Sequence, residues 1–206
     1  MVGIFLDIER LRKKKRSKAF FQHSAEYVAE NILGDYLLVQ KNKSILIGRI
    51  VETEAYLGKS DDASHSFGGK ITPRNNILYL SGGVIYTYLI YGKYWCFNIV
   101  VSKRDDPQAV FIRAVEPLSG IKVMIKNRNG NFKKLANGPC RWTAAFGIDK
   151  AFLGRDVLSD SIFISSGYPK NFDVVRTKRI GIDYAAYSKN LPLRFYIKEN
   201  PFISKK

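Results

Sequence analysis

Residues 44–57, SILIGRIVETEAYL, decide the fold of this 206-residue chain. The segment is rich in β-branched and large apolar residues, which is typical of a long strand. Four more runs have the same texture and are separated by Gly, Asn, Asp and Pro clusters. These are residues 36–40 (YLLVQ), 83–92 (GVIYTYLIYG), 94–102 (YWCFNIVVS) and 109–117 (AVFIRAVEP). The central half of the chain is therefore predicted to form a sheet, either antiparallel or mixed.

Helical patterns flank these strands. Ser24 is a suitable N-cap for a helix whose apolar residues recur at i, i+3, i+4, i+7 and i+8, and Gly34 is a suitable stop. Further helices are expected over residues 118–126 and 141–146, and further strands over residues 161–165 and 191–197. Together these patterns predict one α+β domain.

The chain is strongly basic. It has 34 Lys and Arg against 18 Asp and Glu, a formal net charge of +16. Such a charge attracts polyanions in a salt-dependent way, so nucleic acid is the first partner to consider and an anionic membrane surface the second. Seven of the nine residues 10–18 (RLRKKKRSK) are basic. They predict a basic N-terminal arm over residues 1–20, either mobile or an exposed helix end, before a domain at 21–206.

Several classes of protein are disfavoured. No apolar run reaches the roughly 18 residues that a membrane-spanning helix needs. Cys96 and Cys140 lie too far apart in sequence for a disulfide framework or a metal-ligand pair, and the two histidines, His23 and His65, do not suggest a zinc site. We therefore expect a soluble, intracellular protein without a metal site. Nucleic acid is preferred to a membrane as its partner, and nothing in the sequence calls for an organic cofactor or for more than a monomer.

Candidate chemistry begins in the strand at 44–57. Glu52, Glu54 and Tyr56 share one face by the period of two, so they point together either into a cleft or to a solvent-facing edge. Arg113 stands in an otherwise apolar run and needs a carboxylate partner, for which Glu54 and Glu116 are the candidates.

Aromatic residues are concentrated in residues 86–97. Four tyrosines (86, 88, 91 and 94) and Trp95 can either stack on bases or pack in the core. Asn98 follows, with its amide among apolar neighbours. The hydrogen-bonding groups of a buried amide must find partners in the protein or be available to a ligand. An aromatic pocket with an arginine-held carboxylate and an amide suits a base flipped out of duplex DNA.

Ordered motifs in the chain resemble those of the alkyladenine DNA glycosylases, also called 3-methyladenine or methylpurine DNA glycosylases. They read IVETEAYLG, DDASHSFGG, TPRN, VIYTYLIYG, CFNIV, AVFIRAVEP, NGPCRWTAAFGI and PLRFYIKENPFIS, and extend from about residue 26 to 204. The resemblance implies a single domain around a curved antiparallel sheet with flanking helices and a DNA-facing β-hairpin. It also implies base excision repair of alkylated or deaminated purines in double-stranded DNA.

Residue roles come with the resemblance. Glu54 matches the base that activates the attacking water, and Arg113 matches its positioning partner. Asn98 matches the amide that excludes the 2-amino group of guanine, and Tyr91 matches the residue that wedges into the duplex. The residues that match those sandwiching the flipped base are Tyr56, His65 and Tyr88.

Each role has an alternative. Glu52 can be the working acid, His65 can be a loop cap, and Tyr86 can exchange roles with Tyr88. No lysine stands at the position of a Schiff-base lyase, so hydrolysis without strand cleavage is expected. The chain departs from the usual Lys-Leu pair of the family at Arg141 and Trp142, after Cys140.

Two other functions share these features. The scaffold can serve as a noncatalytic protein that binds damaged nucleic acid, or an unrelated enzyme can act on RNA or a nucleotide with a similar basic surface. Release of a damaged base from duplex DNA separates a glycosylase from a noncatalytic protein. Competition between duplex DNA containing one lesion and RNA tests the unrelated enzyme.

Overall fold

The computed structural model describes residues 7–41, 44–167 and 170–206. Short 3₁₀ turns connect the main elements. The helices are α1 (Ile8–Lys13), α2 (Ala25–Asn31), α3 (Ile121–Asn127) and α4 (Pro139–Phe146). The strands are β1 (Tyr36–Lys41), β2 (Ser44–Tyr56), β3 (Ile85–Ile90), β4 (Tyr94–Val101), β5 (Gln108–Ser119), β6 (Ile162–Ser165), β7 (Val174–Thr177) and β8 (Arg194–Ile197).

The strands form one open antiparallel sheet around β2. Its main path runs β3-β4-β5-β2-β1-β6, while β8 pairs with both β2 and β7. The predicted α+β single domain is confirmed, and of the two predicted sheet types the antiparallel one is observed. Among the described residues, no helix is long and apolar enough to cross a membrane.

Strand β2 changes partners along its 13 residues. Its first half pairs with β1, and Glu52, Thr53 and Glu54 pair with β8. Register shifts against β5 occur on both sides of Glu52. Such irregularities bend a strand and redirect its side chains. The segment that carries the candidate acids is therefore locally reshaped.

Helices α2 and α4 pack on the sheet and close the main core. The Ser24 hydroxyl accepts a bond from the Tyr27 amide at 3.3 Å, as predicted for an N-cap. In α4, Trp142 is fully buried and its Nε1 donates to the Ile112 carbonyl at 2.8 Å. Helix α3 begins at Ile121 and not at 118, because β5 continues to Ser119 and Gly120 makes the turn at φ 80°.

The basic segment 10–18 is attached to the sheet and is not a solvated tail. Leu11 is buried in a cluster with Phe163 of β6, and Arg16 pairs with Asp35 at 2.6 Å. Lys13 and Lys14 remain exposed. Of the two alternatives for this segment, a mobile arm and an exposed helix end, the structure agrees with the helix end. Residues 1–6 of the predicted arm lie outside the described part, and the boundary at residue 20 stays a prediction.

Candidate active site

A cavity of about 50 Å³ opens beside the C-terminal end of β2 and against strands β3 and β4. Its walls are mainly aromatic, with a few polar groups, which is typical of a small-molecule site. Four of the predicted site residues, Tyr56, His65, Tyr88 and Asn98, are in its lining. The remaining lining residues are Ala63, Ser64, Leu78, Tyr86, Ala109 and Tyr184.

The aromatic wall is built around His65. The His65 ring meets Tyr88 edge-on, with centroids 4.7 Å apart. Its Nδ1 lies 2.9 Å from the Tyr86 hydroxyl, so the side chain belongs to the cavity wall and is not a loop cap. Tyr86 is only 3% exposed and packs with a core cluster, whereas Tyr88 is less buried. Tyr86 thus supports His65, and Tyr88 presents more of its ring.

His65 is held in its neutral form. Burial, together with the nearby positive charge of Arg74, lowers the pKa of its ring to about 4. A neutral imidazole offers one donor and one acceptor nitrogen. Near neutral pH the cavity therefore presents an uncharged ring to a ligand.

Glu52 and Glu54 both lie next to Arg113 in the interior. Arg113 Nη1 is 3.1 Å from Glu54 Oε1, and Arg113 Nε is 3.3 Å from Glu52 Oε1. Both carboxylates are fully buried, so the solvent-facing alternative for this strand face is wrong. Glu116 is not the partner of Arg113, because it pairs with Arg49 at 2.5 Å.

The two acids differ in their remaining contacts. Glu52 receives Arg194 Nε at 2.6 Å, the Ser204 amide at 2.5 Å and the Ser204 hydroxyl at 2.8 Å. These contacts hold Glu52 against β8 and the C-terminal segment. Both of its carboxylate oxygens therefore accept hydrogen bonds from residues that stabilise the fold.

Glu54 instead connects to the cavity. Its Oε2 accepts from the hydroxyl of Tyr56, a cavity residue, at 3.1 Å, and its Oε1 accepts from the Ile180 amide at 2.8 Å. Burial raises the pKa of Glu54, while the positive charge of Arg113 opposes that rise. Of the two acids, Glu54 is the one linked to the aromatic wall.

Asn98 and Tyr91 occupy different environments. Asn98 is buried on the cavity wall, and its Nδ2 donates to the Tyr86 carbonyl at 3.2 Å. Tyr91 lies at the tip of the β3–β4 hairpin with 89% of its surface exposed and φ of 51°. It is the one predicted site residue, apart from Glu54 and Arg113, that does not line the cavity.

Comparison with known proteins identifies the family of the chain. The sequence pattern of the family described as methylpurine-DNA glycosylase matches residues 19–201. The chain belongs to the methylpurine-DNA glycosylase family. That range includes the cavity, both buried glutamates and the hairpin.

Two relatives of this glycosylase-family chain extend the similarity over nearly its whole length. A protein of Natranaerobius thermophilus is 45% identical over 190 residues, which cover 90% of this chain and 96% of the relative. A protein of Clostridium novyi is 43% identical over 202 residues, covering 94% and 100%. Both carry the name "Putative 3-methyladenine DNA glycosylase".

The chain departs from the usual family sequence after Gly138 and Pro139, and the structure explains the tryptophan at position 142. Its ring lies 5.2 Å from Phe97 and 5.9 Å from Phe146 by centroids, so the larger side chain fills the core. Cys140 and Arg141 line a separate cavity that also includes Arg113. The substitution at Trp142 therefore leaves the aromatic cavity intact.

Sequence reasoning missed two residues near the site of this glycosylase-family chain. Tyr184 lines the cavity while 71% exposed, and its hydroxyl donates to the Ala63 carbonyl at 3.2 Å. Arg179 is buried behind Tyr56. Both come from residues 178–191, which have no clear strand or helix periodicity, so only their positions in space associate them with the cavity.

Proposed function

We propose that this chain is a monofunctional DNA-3-methyladenine glycosylase that hydrolyses the N-glycosidic bond of alkylated or deaminated purines. The observation that carries the proposal is the connection between one buried carboxylate and the aromatic cavity. Glu54 contacts Arg113 on one side and the Tyr56 hydroxyl on the other. Membership of the methylpurine-DNA glycosylase family supports the same activity.

The substrate is a purine flipped out of double-stranded DNA. A flat base enters the cavity and stacks against its rings, since every base offers a π-face to an aromatic side chain. Tyr56, Tyr88 and the neutral His65 contact the base. Asn98 lies where its bulk and hydrogen bonding can reject the 2-amino group of guanine.

Tyr91 assists flipping from outside the cavity. Its exposed ring at the hairpin tip wedges into the duplex and fills the space that the flipped nucleotide leaves. The cost of unstacking is smallest for weakly paired bases, which favours damaged ones. The net charge of +16 supplies the sequence-independent attraction to the phosphates.

Glu54 serves as the general base. It takes a proton from water, the water oxygen forms a bond to C1′ of the deoxyribose, and the bonding electrons of the N-glycosidic bond leave with the base. An alkylated purine is already cationic and leaves as a neutral molecule, whereas a deaminated purine needs a proton. Burial makes Glu54 a stronger base than an exposed carboxylate, and Arg113 keeps it oriented and ionised. The product is an abasic site in an uncut strand.

Single-turnover base release tests the proposal. Duplexes with one hypoxanthine or ethenoadenine, and randomly methylated duplexes, are incubated with the wild type, Glu54→Gln and the control Glu116→Gln. General-base catalysis is worth about 10²–10⁴-fold, so Glu54→Gln is expected to lose at least about 100-fold in rate. DNA affinity and the activity of Glu116→Gln stay unchanged.

The alternative is a noncatalytic protein that recognises damaged nucleic acid. Tight lesion binding without release by the wild type would establish that alternative. Equal release by the wild type and Glu54→Gln would remove Glu54 from the proposed role while leaving the glycosylase activity in place. We further expect the protein to act as an intracellular monomer.

A further inference from the structure

Arg179 is buried in the segment between β7 and β8 and donates hydrogen bonds to three groups, one of which is the Ser188 carbonyl, 3.5 Å from Nη2. Its Nη1 and Nη2 donate to the two oxygens of Asp61 at 2.6 and 2.8 Å, and Nη1 also donates to the Ala55 carbonyl at 3.0 Å. Ala55 lies between Glu54 and Tyr56 in β2. These hydrogen bonds hold the guanidinium against β2, the strand that carries the proposed base.

The guanidinium of Arg179 lies over the ring of Tyr56. Its central carbon lies 4.6 Å from the Tyr56 ring centroid. The next residue, Ile180, donates its amide to Glu54 Oε1 at 2.8 Å. Two consecutive residues thus contact the cavity wall and the buried carboxylate, and Tyr56 itself joins the two through its hydroxyl.

Stability alone is a weak explanation for this pair. Replacing a buried ion pair by apolar residues of similar volume is often neutral or stabilising. Here Arg179 Nε has no hydrogen-bond partner among the described residues, although it is buried. The hydrogen bonds of the guanidinium come from its two terminal nitrogens, which fix its orientation against β2.

We infer that Arg179, held by Asp61, is a positioning residue of the glycosylase site. Its guanidinium fixes the plane of the Tyr56 ring, and through the Tyr56 hydroxyl it fixes the Glu54 carboxylate. This inference rests on the proposed function. Bidentate pairing and stacking both need the planar guanidinium, so lysine cannot replace arginine here.

The chain contains a matched control for this arrangement. Arg16 pairs with buried Asp35 through two nitrogens at 2.6 and 2.9 Å, donates to the Asn31 carbonyl at 3.2 Å, and covers the Phe20 ring at 4.2 Å. None of these residues lines the aromatic cavity. Arg16→Lys therefore removes similar hydrogen bonds and a similar stacking interaction away from the site.

The test compares Arg179→Lys with Arg16→Lys in single-turnover reactions at saturating protein. The amplitude reports how much protein is folded and active, while the rate constant reports the geometry of the site. A misplacement of about 1 Å can cost about 10²-fold, so the rate constant of Arg179→Lys is expected to fall by about 10- to 100-fold. Its reaction amplitude and its affinity for lesion DNA stay near those of the wild type. Arg16→Lys keeps the wild-type rate constant.

A double-mutant cycle with Tyr56→Leu examines whether Arg179 acts through Tyr56. Residues in contact that act as one unit show non-additive effects. We expect Arg179→Lys to cost less than about twofold in the Tyr56→Leu background, against at least about tenfold in the wild type. Fully additive losses would overturn the inference.

Two further outcomes also overturn it. One is a fall in amplitude with an unchanged rate constant, because the ion pair would then only support folding. The other is that both Arg179→Lys and Asp61→Asn fail to fold while Arg16→Lys folds. Absence of base release by the wild type would instead refute the proposed function, so the two failures are distinguishable.

Discussion

Arg113 Nη1 lies 3.1 Å from Glu54 Oε1, and both side chains are buried. Two opposing influences therefore act on the same carboxylate. Burial raises the pKa of Glu54, and the positive charge of Arg113 lowers it. The balance between them sets the pH range in which Glu54 is ionised and can act as a base.

Arg113→Met is expected to move the acid limb of the pH–rate profile to higher pH. Without the positive charge the pKa of Glu54 rises, so a higher pH is needed to ionise the proposed base. Single-turnover rates between pH 5 and 9 measure the shift. Arg49→Met, which breaks the pair with Glu116, is the control and keeps the wild-type profile. An equal rate loss at every pH would contradict the electrostatic role.

Glu54→Gln is expected to stabilise the fold near neutral pH. The pKa of Glu54 in the folded chain is above its ordinary value of 4.5, so the ionised form disfavours folding. Below about pH 4.5 the side chain is protonated in both states and the penalty vanishes. Thermal unfolding should show a higher Tm for Glu54→Gln at pH 7–8 and a difference that closes towards pH 4. A gap that is constant with pH would argue against this explanation.

His65 is expected to remain neutral down to about pH 4. Between its ordinary pKa of 6.5 and the folded value, the unfolded chain binds a proton that the folded chain does not, so His65 lowers stability as the pH falls through this range. Imidazole ¹⁵N resonances followed from pH 8 to 4 report the titration. A His23→Gln sample assigns the signals, since the chain has two histidines. Protonation of His65 near pH 6.5 would refute the prediction.

Tyr91→Ala is expected to weaken base release without affecting folding. The ring is 89% exposed, and surface substitutions usually change stability by no more than about 0.5 kcal/mol. Removing a stacking interaction worth about 1–3 kcal/mol corresponds to a decrease of roughly 10- to 100-fold in the efficiency of release from duplex DNA. Tyr91→Phe keeps the ring and should retain activity. Phe132→Ala, another exposed aromatic residue, controls for a general surface effect. Similar decreases in Phe132→Ala and Tyr91→Ala would exclude a specific wedge.

Substituting both Lys13 and Lys14 by Gln is expected to reduce the salt dependence of DNA binding. Both side chains are exposed beside the end of α1. Removing one lysine–phosphate ion pair makes the slope of log K against log salt shallower by about 0.9. The matched control is Lys122→Gln with Lys126→Gln, which removes the same charge from α3. Equal slopes for both double variants would show that the basic segment has no special role in binding DNA.

The sequence by itself determined most of the secondary structure. The five apolar runs of the central region became β1 to β5, because their composition and length leave few other ways to bury them. The predicted helix after Ser24 also formed where its apolar spacing indicated. Strand β7 was missed, since its four residues, VVRT, are too few to show a pattern.

Family resemblance singles out Tyr56, His65, Tyr88 and Asn98 from the sequence, and the structure brings all four to one cavity. Their roles in binding a base stay predictions. The contribution of Tyr184 to the same cavity had no signal in the sequence, because it depends on a loop that crosses from a distant part of the chain.

The family resemblance favours Glu54 over Glu52, but only the tertiary structure shows how the environments of the two acids differ. The two residues have the same side chain, share a strand face and both contact Arg113. Their difference comes from partners more than 120 positions away: Arg194 and Ser204 bind Glu52, and Ile180 binds Glu54. Local sequence determines which residues can form a strand and which side chains are acids. Each buried charge must be compensated by the groups around it. The sheet register and the packing of the loops decide which distant donors reach a buried acid, and these donors decide whether that acid is available for chemistry.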